Sequence, residues 1–103
     1  MKGLVFGLTL DRAQEKMDKI IEDYEFYWNI KPKKICSNRS GYSVIFENND
    51  TWYAGSFFEG QRGRKANIIY VDRDLSINDM EIIKCCLINV PYGAINYYQA
   101  KNN

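Results

Sequence analysis

The segment from residue 66 to residue 72 constrains the fold of this chain more than any other part of it. It contains the unbroken apolar run Ile68-Ile69-Tyr70-Val71. A strand with one solvent-facing side alternates between apolar and polar residues, whereas a strand covered on both faces does not. The run therefore predicts a central strand in parallel pairing. Residues 2–9 carry a second apolar run and predict another buried strand.

Two segments have the period of an amphipathic helix. In the first, at about residues 11–28, one apolar stripe is formed by Ala13, Met17, Ile20, Ile21, Tyr24 and Trp28. Asp11 followed by Gln14 has the capping-box spacing and predicts the helix start, and the helix is expected to end before Pro32. The second helix, at about residues 77–88, is capped by Ser76 and carries Met80, Ile83 and Leu87 on one face.

The remaining strands follow from alternation. Residues 42–47 alternate, Asn48-Asn49-Asp50 is typical of a turn, and residues 51–57 form the returning strand. A shorter strand is expected at 33–37, and residues 94–99 are expected to form either a last strand or an ordered tail. Together the elements predict a single α/β domain over residues 1–103. It has one mixed β-sheet of four to five strands (central strand 66–72, hairpin 42–57) and two helices (about 11–28 and 77–88).

Composition excludes several function classes. The chain has no histidine, and its three cysteines, Cys36, Cys85 and Cys86, lack the spacing of a zinc or redox site. Without histidine no common catalytic triad can be built. We therefore expect a non-enzyme without a cofactor. No apolar run approaches the roughly 20 residues that span a bilayer, and reduced cysteines fit a cytoplasmic protein without a membrane partner.

Three segments in sequence resemble the large-subunit phage terminase ATPases. They are the strand-to-helix step Leu8-Thr9-Leu10-Asp11-Arg12-Ala13-Gln14, the hairpin around residues 45–50, and the Arg-Gly loop that runs into the strand ending at Asp72. Their order and spacing agree over residues 3–88. The resemblance implies the core of a P-loop ATPase and a phage or other mobile element as the source of the gene.

Departures from that family decide the expected function. No GxxxxGK[ST] motif is present, so the backbone amides and lysine that hold the phosphates are missing. Asp72 matches the magnesium-binding aspartate of Walker B, but Arg73 stands where the catalytic carboxylate is required. A guanidinium cannot accept a proton, so it cannot be a general base. The resemblance therefore implies a pseudo-ATPase, with Asp72 as a weak candidate for a metal or nucleotide site.

The loop before this strand is the densest positive stretch, with Arg62, Arg64 and Lys65 around Gly63. Together with the hairpin aromatics Trp52 and Tyr53, it is a candidate surface for single-stranded nucleic acid, by phosphate contact and base stacking. Against this stands a net charge of only +1, which gives no global attraction to nucleic acid.

Surplus aromatics favour a protein partner instead. Phe26, Tyr27 and Trp28 are adjacent at a helix end, and Tyr97 and Tyr98 are adjacent near the carboxyl terminus. Neighbouring residues on a helix or strand cannot all face the core, so some must be exposed. We expect a non-catalytic interaction protein, either a modulator of a phage packaging motor or an inhibitor of a host defence system. A homodimer is a further form that such an interface can take.

Overall fold

The computed structural model describes residues 1–38, 41–56, 65–75 and 94–100. Along the chain, β1 (Lys2–Gly7) is followed by α1 (Leu10–Trp28) and then by the strands β2 (Pro32–Asn38), β3 (Gly41–Phe46), β4 (Thr51–Ser56), β5 (Ile68–Asp72) and β6 (Ala94–Tyr98). The strands form one sheet in the order β2-β3-β4-β1-β5-β6.

The sheet is mixed, as predicted. β1 runs parallel to β4 on one side and to β5 on the other, and β6 is parallel to β5. β2, β3 and β4 pair antiparallel, so the predicted hairpin 42–57 is present as β3 and β4. The predicted count of four to five strands is wrong, because the described residues contain six. Both short segments with weak patterns, 33–37 and 94–99, pair as the two edge strands.

The helix α1 matches the predicted helix at about 11–28, but it is capped by a different residue. The N-cap is Thr9 and not Asp11, since the Thr9 hydroxyl accepts a hydrogen bond from the Arg12 amide at 3.3 Å. Asp11 lies instead in the first turn, where a carboxylate faces the positive end of the helix dipole. The predicted helix at 77–88 lies outside the described residues. Among the residues that the structure describes, no helix is long and apolar enough to cross a membrane.

The two faces of the sheet carry separate apolar clusters. α1 packs on β1 and β4, and on this face the buried side chains include Val5, Met17, Val44, Phe46 and Trp52. Alternate positions on the opposite face form a second cluster, with Leu4, Phe6, Ala66, Ile69 and Val71. β1 is therefore buried on both faces, and this explains why its sequence does not alternate. Each fully buried side chain of this size contributes roughly 1.5–3 kcal/mol.

The predicted central position of strand 66–72 needs a correction. β5 begins at Ile68 and lies between β1 and β6, so it is an interior strand next to the edge, and β4 and β1 form the middle of the sheet. Its two neighbours are parallel, as the pattern predicted. Ile69 and Val71 are fully buried, whereas Ile68 is only partly buried. Ile68 points to the face of α1, and α1 packs mainly on β1 and β4.

Candidate functional site

An exposed aromatic cluster, consisting of Phe26, Tyr27 and Trp28, occupies the last turn of α1. The exposed fractions of these side chains are 81%, 67% and 62%. Successive residues of a helix point in directions about 100° apart, and Tyr24 takes the position that faces the sheet. The helix ends immediately afterwards because Asn29 adopts a left-handed conformation, with φ of 53°. Its amide and that of Ile30 then bond back to the last turn.

The side chains of the aromatic cluster pack against one another and against Tyr24. The rings of Phe26 and Tyr27 meet edge to face at 4.9 Å, and Trp28 packs edge to face on Tyr24 at 5.2 Å. Tyr24 in turn is stacked on Phe46, with ring centroids 3.8 Å apart and planes at 8°. Edge-to-face pairs such as the first two add about 0.5–1.5 kcal/mol each beyond the contribution of the area they bury. The exposed rings are therefore anchored to the core of the sheet.

A polar network supports this anchor from beneath. The Tyr24 hydroxyl donates to Asp50 at 2.8 Å and accepts from the Trp52 indole at 3.0 Å. Burial raises the pKa of Tyr24 to about 12. Burial alone would also raise the pKa of Asp50, but hydrogen bonds from Tyr24, the Met1 amino group and Asn48 outweigh it and hold that pKa below its ordinary value. At neutral pH the network thus holds a neutral phenol against an ionised carboxylate.

Of the residues predicted to bind a partner, Trp52, Tyr53 and Lys65 line one depression, and Trp28 lies apart from them. Trp28 belongs to the aromatic cluster. Trp52 is only 4% exposed and packs under α1, so it is a core residue and its predicted place on a binding surface is corrected. Tyr53, its neighbour on β4, points to the opposite face, as alternation requires. Arg62 and Arg64 lie outside the described residues.

Lys65 and Tyr53 line one shallow depression on that opposite face. It has a volume of about 350 Å³ and also includes Lys2, Ser43 and Thr51. The Tyr53 ring lies directly over Gly41, where a Cβ would come within 2.4 Å of its hydroxyl oxygen. The depression therefore combines two ammonium groups with one aromatic ring.

Asp72 lies at the carboxyl end of β5 with both carboxylate oxygens engaged. Oδ2 accepts from the Leu8 amide at 3.0 Å and forms an ion pair with Arg12 Nε at 2.9 Å, while Oδ1 accepts from the Asp74 amide at 3.1 Å. Arg12 also donates to Asp74 at 2.6 Å, and this bond raises the pKa of Arg12 further. The guanidinium therefore occupies the place beside both carboxylates that a cation would need. Within the described residues no group of three or more potential metal ligands occurs.

A groove of about 640 Å³ runs along the outer flank of α1. Four of its lining residues are acidic, Asp11, Glu15, Asp18 and Glu22, and two are basic, Lys16 and Lys19. The Lys16 ammonium lies beneath, 4.6 Å from the centre of the Tyr70 ring, and desolvation lowers the pKa of this lysine. The groove gives α1 an acidic flank.

The edge strand β2 is positively charged, and the sequence patterns did not indicate that it forms an exposed edge of the sheet. Its exposed residues include Lys33, Lys34 and Ile35, and Lys31 immediately precedes it. From the sequence, residues 33–37 are predicted as a short strand, and Lys31, Lys33 and Lys34 as part of the positive surface that accompanies the loop 62–65. The missed signal is that dense lysine next to a β-branched residue marks an exposed strand edge.

Comparison with known proteins adds nothing to this picture. No protein-family model, no curated protein and no solved structure matches the chain. The resemblance to the terminase ATPases stays a prediction.

Proposed function

We propose that the protein acts by binding another protein, without catalysis, and that the aromatic cluster Phe26–Trp28 is the centre of the contact. The observation that carries this proposal is the exposure of these adjacent aromatic side chains, 81%, 67% and 62%. Aromatic side chains bury about 150–250 Å² each when they are covered. Trp and Tyr are also the residues most enriched at the energetic centres of interfaces.

The supporting geometry lowers the entropic cost of binding. Trp28 is packed on Tyr24, and Tyr24 is stacked on Phe46 in the core. A surface held in place before binding loses little side-chain freedom when a partner covers it. The indole N–H and the Tyr27 hydroxyl can also bond to a partner at the rim of the contact.

The absence of histidine and the neutralisation of Asp72 by Arg12 support the non-catalytic part of the proposal. The two targets that the sequence suggests, a phage packaging motor and a host defence protein, remain the candidates for the partner.

The proposal is tested by replacing the aromatic cluster as a whole. The variant F26S/Y27S/W28S and the wild-type protein are tagged and captured from cells of the source organism. Tyr97→Ser is the matched control, because Tyr97 is a similarly exposed aromatic residue, 54% exposed, on β6. We expect one protein to be captured by the wild type and by the control but lost in the triple variant, with all three proteins folded by circular dichroism. Retention of the partner by the triple variant would overturn the proposal.

Binding of single-stranded nucleic acid is the second candidate, favoured by one observation. Lys65 and Tyr53, both predicted from the sequence, line the same depression together with Lys2. Cations next to an aromatic face are the elements of such sites. Titration of an oligonucleotide against the wild type and K2A/K65A tests it. A working site predicts that each lost phosphate contact reduces the salt slope of log affinity by roughly 0.7.

A further inference from the structure

β2 forms one edge of the sheet and is exposed along its length. In the described part of the chain it pairs with β3 alone, and Lys33 through Asn38 are all exposed. Every second residue of an edge strand points its N–H and C=O away from the sheet, where another strand can bond to them. An edge of this kind needs either protection or a partner.

The protection is confined to the start of the strand. At its first residues, Pro32 and a register shift between Pro32 and Lys34 disfavour pairing with another strand. From Lys34 to Asn38 the register is regular, with Ile35 opposite Val44 and Cys36 opposite Ser43. Five residues of regular edge are about the length of an ordinary strand, so this part of β2 is a usable template.

Charge decides which strand the edge can accept. Lys31, Lys33 and Lys34 lie at or next to the edge, and residues 29–38 contain no Asp or Glu. Within residues 1–38, 41–56, 65–75 and 94–100, none of these three ammonium groups is in an ion pair; Lys33 donates to the Asn49 amide oxygen at 2.6 Å. The lysines all lie at or just before the start of the strand, so a second copy of β2 in parallel pairing would bring like charges together, which is destabilising across strands. An acidic strand meets no such repulsion.

We propose that β2 is completed by an extended, acidic segment of the protein partner, which adds to the sheet as a seventh strand. This rests on the proposed function, because it names the chemistry of the partner. Ile35 is paired with Val44 and therefore points to the face of α1, while Lys34 points to the other face. The segment accordingly alternates, with apolar side chains beside Ile35 and carboxylates beside Lys34. The aromatic cluster is separated from β2 only by residues 29–31, so one partner can contact both.

A synthetic peptide of about eight residues, alternating Glu and Val, is a suitable probe, since this length fits one strand. It is titrated into the isotope-labelled protein, and amide chemical shifts are followed by NMR. A peptide alternating Lys and Val controls for charge, and the acidic peptide with alternate backbone amides N-methylated controls for strand pairing. We expect the acidic peptide alone to shift the amides of residues 34–38 and to protect them from hydrogen exchange.

Charge reversal in K33E/K34E is the decisive variant, because it leaves the backbone edge intact. The two substitutions should weaken binding of the acidic peptide about tenfold, because two attractive contacts become repulsive. The variant should bind the Lys-Val peptide instead. K19E/R73E is the matched control, as both side chains are exposed, lie outside β2 and give the same change in net charge. We expect this control to leave the contact at β2 in place.

Three results would overturn the proposal. They are equal binding of the N-methylated peptide, full binding of the acidic peptide to K33E/K34E, and salt-dependent pairing of β2 with a second copy in analytical ultracentrifugation. The captured partner separates the two proposals. If F26S/Y27S/W28S loses it and K33E/K34E retains it in full, the edge proposal fails and the aromatic contact stands. If only K33E/K34E loses it, the aromatic contact fails.

Discussion

The Tyr24 hydroxyl donates a hydrogen bond of 2.8 Å to the Asp50 carboxylate, and through it the end of α1 is joined to the turn between β3 and β4. The same oxygen accepts from the Trp52 indole at 3.0 Å. One phenol therefore satisfies two buried or partly buried polar groups from different elements. It also lies directly under the proposed binding surface, since its ring supports Trp28.

Tyr24→Phe should lower the free energy of unfolding by about 1–3 kcal/mol, because the Trp52 N–H and Asp50 lose a partner while the ring stack on Phe46 is kept. Tyr27→Phe is the control, as Tyr27 is largely exposed, and it should change stability by less than about 0.5 kcal/mol. Urea unfolding followed by circular dichroism measures both. Equal effects of the two substitutions would show that the network does not contribute.

Stability should decrease at alkaline pH. Burial raises the pKa of Tyr24 to about 12, while an unfolded tyrosine has a pKa of about 10. Because the folded pKa is higher, this contribution is fully present below pH about 10 and is lost as pH rises towards 12. Burial raises the pKa of Tyr98 as well, and its hydroxyl donates to the Phe6 carbonyl.

Urea unfolding at several pH values above 9 should therefore show a falling free energy of unfolding, and Tyr24→Phe should have a shallower slope than the wild type. If Tyr24→Phe has the same dependence of unfolding free energy on pH as the wild type, the loss of stability at alkaline pH is caused by other groups. The tyrosinate absorbance of the native protein provides an independent measurement of the pKa.

The sequence predicted those parts of the fold that depend on local periodicity. The apolar stripe of α1 and the alternation of β3 and β4 each reflect contacts made by one segment, so their positions were predicted to within a residue or two. Strand order is set by long-range pairing, which periodicity does not report. For this reason β5 was expected at the centre of the sheet, and the edge strand β2 received little weight.

The candidate site was predictable to a similar extent. Adjacent aromatics at the end of α1 had to be partly exposed, whichever of them faced the sheet. Alternation on β4 also required Trp52 and Tyr53 to point to opposite faces, but it could not say which face lies under α1. The polar network of Tyr24 and Asp50 joins residues 26 positions apart, and no pattern in the sequence indicates it.

Gly3→Ala should destabilise the protein through a specific clash. Gly3 lies beside Trp52 in the parallel register, and a Cβ on Gly3 would come within 2.3 Å of the indole ring. Overpacking of this kind costs about 1–3 kcal/mol. If the clash is the cause, the effect of Gly3→Ala should shrink in a Trp52→Leu background, where the ring is absent. A double-mutant cycle from urea unfolding measures this coupling, and additive effects would contradict the stated cause.

Asp72→Ala should destabilise the protein more than Asp74→Ala, by at least about 1 kcal/mol. Asp72 is buried and accepts from two backbone amides as well as pairing with Arg12. The Asp74 side chain is half exposed, and of the groups that Asp72 contacts it bonds only to Arg12. Removal of Asp72 therefore leaves the Leu8 and Asp74 amides without an acceptor. Thermal and urea unfolding of the two variants give the ranking, and the reverse order would mean that Asp72 is not the structural member of the pair.

Magnesium and ATP should leave the stability of the wild-type protein unchanged. A ligand present at 100 times its dissociation constant stabilises the folded state by about 2.7 kcal/mol, so even modest affinity is visible as a higher melting temperature. Asp72 is the residue that the terminase resemblance would assign to magnesium, but both its oxygens are engaged and Arg12 Nε lies 2.9 Å away. A cation would have to displace this guanidinium.

Melting temperatures with and without millimolar Mg-ATP test this directly, and Arg12→Ala serves as the comparison. In that variant the two carboxylates lose their counter-ion, so any latent affinity for magnesium should appear there first, as a rise in melting temperature that chelation reverses. A rise in the wild type would instead show that Asp72 releases Arg12 to bind the metal, and the protein would then have to be treated as a nucleotide or metal binder.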